Sequence, residues 1–193
     1  MSSYIFVSPG SDPGMGKPLV DPALSSRRPT MGTCRHDLRR LVLLGDQIFV
    51  VSGSMGKFVS QYVIGGLEVH DKLPTQMAAY DKYPEHRIHF NEAGQRLGNI
   101  IVTADGDHDP RDGHDKFDQR IQNYLIGRNP VVLETEREIA LGREHSVEIL
   151  SRVFDKPAAK RVRDIMGRMR KLSDEQAGRL REALMQIKAE ARR

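Results

Sequence analysis

Two strand-type runs, residues 47–51 and 61–70, flank one short glycine-rich turn, Gly53-Ser54-Met55-Gly56. Neighbouring apolar runs joined this way predict a hairpin, or two adjacent strands of a small barrel. Gly65-Gly66 inside the second run marks a bulge or a close backbone approach. Further strands are predicted at 4–7 (Tyr-Ile-Phe-Val), 99–104 and 130–133. Helical stretches between them are short: residues 33–44, 73–84 and, weakly, 117–125. The strand runs follow one another instead of alternating regularly with helices. That order predicts an α+β fold with a curved or barrel-like mixed sheet.

From about residue 136 the pattern turns helical. Ala158, Val162, Ile165, Met169 and Leu172 recur at spacings of four and three. Ser173 followed by Gln176 has the form of a capping box, and Ala177, Leu180, Leu184 and Ile187 repeat the helical spacing. The expected architecture is therefore a body over residues 1–135 and a helical hairpin in an extension over 136–193. Charge divides along similar lines. Residues 151–193 hold 13 Lys/Arg against 6 Asp/Glu, whereas residues 1–150 hold 17 against 20. A basic tail on a mildly acidic body points to an acidic partner such as nucleic acid, or to a solvated helical surface. The tail cations are spread around the helices without aromatic neighbours, which predicts phosphate attraction without base stacking in the tail. The apolar stripes offer a surface for homo-oligomerisation. No apolar run approaches the ~20 residues that span a bilayer, the first ten residues lack the pattern of a signal peptide, and a lone cysteine excludes an internal disulfide. These features predict a cytoplasmic protein with no membrane partner.

Candidate chemistry concentrates between Gly32 and Ser54. A helix beginning near Cys34, with Thr33 as its cap and Gly45-Asp46 as its end, would hold Cys34, Arg35, His36, Arg39 and Arg40 beside the mouth of the sheet. Arg35, Arg39 and Arg40 suit a phosphate or a base edge. Cys34, Asp46, Ser52 and Ser54 would line the pocket. A cationic helix start lowers a thiol's pKa, which makes Cys34 a candidate nucleophile; a small buried hydrophobe is the competing reading. The long Gly/Pro-rich loop over residues 8–30 borders this corner. Two segments imitate phosphate loops, but residues 10–17 (GSDPGMGK) are one residue too long and lead into Pro18, and residues 53–57 (GSMGK) are too short. Residues 105–115 (DGDHDPRDGHD) form an acidic loop whose His108 and His114 are candidate base-contacting or acid–base groups. The calcium-loop template fails there, with Pro110 and Lys116 at the positions that need Gly and Glu. No metal site and no cofactor is predicted.

The order Cys34, four residues, Arg39-Arg40, four residues, Gly45-Asp46, an apolar strand and Ser52-Gly53-Ser54 resembles the nucleotide modification associated domains, type two. The likeness runs from Tyr4 to about Val69 and more weakly from Gly98 to Leu133, where His114 aligns with a histidine after the acidic loop. The "IGGLEV" strand is also similar to the wider PUA-like group that includes EVE and ASCH domains. This resemblance implies a small PUA-like barrel from phage or bacteria that binds a nucleotide or modified base in nucleic acid. An enzyme acting on such a base through His114 and Cys34 is the alternative, and an interaction protein working through the helical tail is a third reading. The chain departs from the family pattern at Gln47, where an aromatic is usual, and at His36, where a proline is usual. A base-stacking role would then fall to Tyr4, Phe6, Phe49 or Tyr62.

Overall fold

The computed structural model describes residues 2–193. In chain order its elements are β1 (Ser3–Val7), β2 (Thr30–Met31), α1 (His36–Leu41), β3 (Gln47–Val51), β4 (Val63–Thr75), α2 (Met77–Tyr80), β5 (His89–Phe90), β6 (Arg96–Leu97), α3 (Phe117–Arg120), β7 (Gln122–Val132), α4 (Glu136–Phe154), α5 (Val162–Ile165), β8 (Met169–Leu172) and α6 (Asp174–Ala191). The fold is α+β. Six strands form a mixed sheet in the order β2-β7-β4-β3-β1-β8, and β5 pairs with β6. The large sheet has two edges, β2 and β8, so of the two expected forms, a mixed sheet or a small barrel, it is the open mixed sheet.

The chain divides into two compact units, residues 1–19, 45–68 and 129–193 in the first and residues 20–44 and 69–128 in the second. In the first unit β1 runs parallel to β3, with Tyr4 opposite Ile48 and Val7 opposite Val51. Ile48 to Val51 are all fully buried, which explains why this strand reads as a continuous apolar run without alternation. β3 and β4 are antiparallel, with Gln47 opposite Glu68. Gly65 is needed for close approach, because a Cβ there would lie 2.3 Å from the Val131 carbonyl oxygen.

Residues 158–172 depart from their helical spacing. They form a loop, the single turn α5 and strand β8, which pairs antiparallel with β1. Pro157 and Gly167 interrupt the helix, and the open edge of β1 offers ladder hydrogen bonds instead. The predicted hairpin is thus replaced by α4 packed on α6, with α5 and β8 between them in sequence. Both long helices start at capping boxes, Thr135 with Glu138 and Ser173 with Gln176. The α6 stripe of Ala177, Leu180, Leu184 and Ile187 is buried, and α6 packs on β1 and β8 as well as α4. Residues 136–193 therefore belong to the same unit as β1 and β3, where the sequence reading set them apart. Among the described residues no helix is long and apolar enough to cross a membrane.

The second unit packs Ala79, Ile100, Val102, Tyr124 and Ile126 into a small core. Residues 99–104 were expected as a strand but make only isolated bridges, Arg87 to Ile100 and Val102 to His108. The Ile101 N–H is instead taken by the Gln76 side chain at 2.6 Å, so the segment is buried without a ladder partner. Residues 73–84 and 117–125 are less helical than expected: β4 runs on to Thr75, and β7 begins at Gln122.

Candidate functional site

The predicted corner around Cys34 belongs to the second unit and is organised by a buried carboxylate. Asp21 accepts backbone N–H bonds from Gly32 (2.8 Å), Thr33 (3.0 Å) and Cys34, and from the Asn99 side chain at 2.8 Å. Three successive N–H groups converging on one acceptor make an anion-binding nest, and Asp21 already occupies it. Gly32 permits the close packing, since a Cβ would fall 2.4 Å from the Tyr124 ring. Thr33 does not cap α1. Its hydroxyl donates to the Asn99 carbonyl at 2.7 Å, and the residue before the helix is Arg35, in the left-handed region at φ 51°. The helix closes at Val42, ahead of Gly45, and Leu41 is exposed.

Arg39, read as a phosphate clamp, is fully buried. Its guanidinium donates to the carbonyls of Cys34 (3.0 Å), Arg120 (2.6 Å), Asn123 (2.9 Å), Thr33 (3.4 Å) and Gln122. Burial lowers its pKa to about 10 despite the attraction of Asp21. It is a brace for the main chain. Cys34 is likewise no ready nucleophile: burial first, then Asp21, pushes its thiol up to about 12, and Arg120 and Arg39 offset this only in part. Arg35 donates to Asp37 at 2.7 Å, while Arg40 is exposed and its carbonyl accepts from Lys72.

The acidic loop of the same unit holds the more open chemistry. Asp112, with a fully buried side chain, accepts from His114 Nδ1 at 2.7 Å and from His108 Nε2 at 2.9 Å. Arg96 Nη1 lies 2.9 Å from the same carboxylate, and the His114 N–H donates at 3.1 Å. Burial alone raises this carboxyl, but the bonds from His114 and His108 outweigh it and hold Asp112 well below the usual aspartate range. An ionised carboxylate only accepts, so each ring carries a proton on the nitrogen facing Asp112. In the neutral rings His114 Nε2 and His108 Nδ1 then hold lone pairs. The imidazoles are 33% and 35% exposed, and His108 stacks on Phe117 at 4.6 Å. The loop is pinned by backbone bonds from Asp109 to Ile101 and from Asp112 to Asp109. Among the described residues no His, Cys, Asp and Glu side chains are grouped to hold a metal ion.

Arg120 links this loop to the Cys34 corner. It donates to the Thr33 carbonyl at 3.2 Å and to the Asp115 carbonyl at 2.7 Å, the neighbours of Cys34 and His114. Cys34, Arg35, His108 and His114 thus belong to one unit. Asp46, Ser52 and Ser54 belong to the other, where Asp46 accepts the Ser2 N–H and Ser52 Oγ accepts the Tyr62 N–H. Ser54 is exposed. The four aromatics considered for stacking, Tyr4, Phe6, Phe49 and Tyr62, are all buried. Sequence reasoning missed Asp112 as the centre of the histidine pair, Arg96 and Arg120 as its neighbours, and Asp21 as occupant of the nest. Only Asp112 left a legible signal, sitting four residues after one histidine and two before the other.

No family model, no curated protein and no solved structure matches this chain.

Proposed function

We propose that the chain recognises a nucleotide or modified base in nucleic acid, in phage or bacterial DNA modification or defence. The observation that carries this reading is the pair of partly exposed imidazoles fixed on buried Asp112. His114 Nε2 and His108 Nδ1 are directed acceptors for the N–H or O–H groups at a base edge. Arg96 and Arg120 pair with two of the loop's carboxylates, Asp112 at 2.9 Å and Asp115 at 3.2 Å, and so reduce its negative charge. The resemblance of residues 4–69 to the nucleotide modification associated domains, and of the strand at 64–69 to the PUA-like group, supplies the ligand class. The pocket of this proposal is the histidine loop with Arg35, and neither Arg39 nor Cys34 contacts the ligand.

A second reading, an enzyme acting on the base, draws on the fixed tautomer. A histidine whose Nδ1–H is held by a carboxylate is oriented to take a proton at Nε2. The interaction-protein reading draws less support, because the α6 stripe is already covered within the chain.

Binding of wild type and His114→Ala to matched oligonucleotides with and without modified bases tests the proposal, with mass spectrometry for product. Modification-dependent binding that drops about tenfold or more in the variant is expected. Product lost with His114 selects the enzyme form. Equal binding of modified and unmodified strands, or an unaffected variant, overturns the proposal.

A further inference from the structure

The first unit carries a second, chemically different concavity. An open pocket of about 600 Å³ is lined by Ser54, Lys57, Phe58, Lys160, Arg161 and Arg163, among others, and no carboxylate is among its lining residues. Val147 and Val162 supply apolar wall. The volume suits one or two nucleotide units, within the ordinary range for small-ligand sites. Phe58 is 93% exposed, an orientation that wastes a large apolar ring unless something covers it. The Lys57 ammonium lies 5.7 Å from the centre of that ring, so cation and π-face are presented together. Arg161 pairs with an acid, Asp164 at 3.4 Å, an exposed contact that competes weakly with a phosphate.

We infer that this pocket docks single-stranded nucleic acid, with Phe58 stacking on an unpaired base and Lys57, Lys160 and Arg163 neutralising flanking phosphates. Charge complementarity selects a polyanion, and the exposed aromatic ring of the pocket lining selects a strand whose bases are free to stack. A duplex would meet the cations but leave Phe58 bare. The sequence disguised this arrangement: the basic tail's single aromatic, Phe154, is buried, and the exposed ring arrives from the turn after β3. The failed phosphate-loop segment Gly53 to Lys57 contributes its lysine and the Ser54 hydroxyl without forming a nucleotide-triphosphate cradle.

The inference goes beyond base recognition at the histidine loop and is tested separately from it. Fluorescence anisotropy would follow a labelled, unmodified oligothymidylate of about 12 nucleotides, and the matched duplex, at about 50 and 200 mM salt. Single-strand binding by wild type is expected to weaken about ten- to a hundredfold in Phe58→Ala with an unchanged salt slope. The pair Lys57→Ala with Lys160→Ala should shallow the slope by about 1.4, near 0.7 per lost phosphate contact. Phe58→Tyr should restore binding. No single-strand binding, a duplex bound as tightly, or Phe58→Ala binding within about twofold of wild type would each overturn the inference. Loss in His114→Ala with retention in Phe58→Ala would move the contact to the histidine loop.

Discussion

Asp21 and Asp112 are both buried carboxylates of the second unit, and both accept from several donors, yet they build opposite kinds of place. Asp21 is satisfied by three backbone N–H groups and the Asn99 amide. Beside it Arg39 is consumed by five carbonyls. Nothing polar is left over for a ligand. Asp112 is satisfied mostly by side chains, His108, His114 and Arg96, whose far atoms face outward in part. One carboxylate orders the main chain and the other orders titratable groups. Burial of a charge therefore does not mark a site; what counts is the capacity its partners retain.

The contrast breaks most visibly under substitution of Arg39. Arg39→Met strands several buried carbonyls, each costing about 1–3 kcal/mol unpaired, so a loss of at least about 3 kcal/mol is expected. His114→Ala removes one donor from buried Asp112 but leaves His108 and Arg96 in place, so a smaller loss of about 1–2 kcal/mol is expected. Urea unfolding of both variants measures the difference. Wild-type stability in Arg39→Met together with lost oligonucleotide binding would return Arg39 to the role of a ligand clamp and erase the distinction.

Acid titration sharpens the comparison at Asp112. Its native pKa lies below the ordinary aspartate value of 3.8, so the unfolded state binds the proton more readily. The resulting stability is complete above about pH 4 and is lost as pH falls through the lower native value. Wild type should therefore lose more stability on the acid limb than Asp112→Asn, which keeps only the part due to Asp109, Glu138 and other carboxylates held below their ordinary range, read from chemical unfolding midpoints at pH 5 and about pH 3. The same variant frees both imidazoles to rotate and change tautomer, and a binding loss close to that of His114→Ala is expected. An Asp112→Asn protein with a wild-type acid limb would show that the histidine bonds do not hold the carboxylate ionised.

How much of this was legible follows from how local each signal is. Residues 47–51 announce a buried strand by unbroken β-branched and aromatic residues, and β3 forms there with the predicted bounds. The Ser173 to Gln176 capping box is equally local, and α6 starts at it. Strand β8 was not legible. Its residues carry helical spacing, and what decides its state is the free edge of β1 at the opposite end of the sequence. At the candidate site, His108 and His114 stood out by composition, but Asp112 was one of five aspartates in the loop until geometry singled it out. Arg39 and Arg40 looked alike as a pair, and only packing separates a buried brace from an exposed side chain. Asp21 hid in a Gly/Pro-rich loop because a nest forms from backbone N–H groups, which no side-chain pattern reports.

The smallest effect is expected at Cys34, whose N–H belongs to the Asp21 nest and whose thiol donates a weak hydrogen bond to the same carboxylate. With the thiol near 12 against 9.0 for an ordinary cysteine, the thiolate fraction at pH 8 is about a thousandfold lower in the native protein than in the unfolded chain. A thiol reagent should modify native Cys34 slowly and the urea-unfolded chain rapidly, with the native rate rising as opening becomes more frequent. Cys34→Ala keeps the backbone donor to Asp21 and should bind oligonucleotide within about twofold of wild type. Fast native labelling together with loss of binding or turnover in Cys34→Ala would mean that the Asp21 corner does retain chemistry for a ligand, and the two carboxylates would no longer divide into one that builds and one that acts.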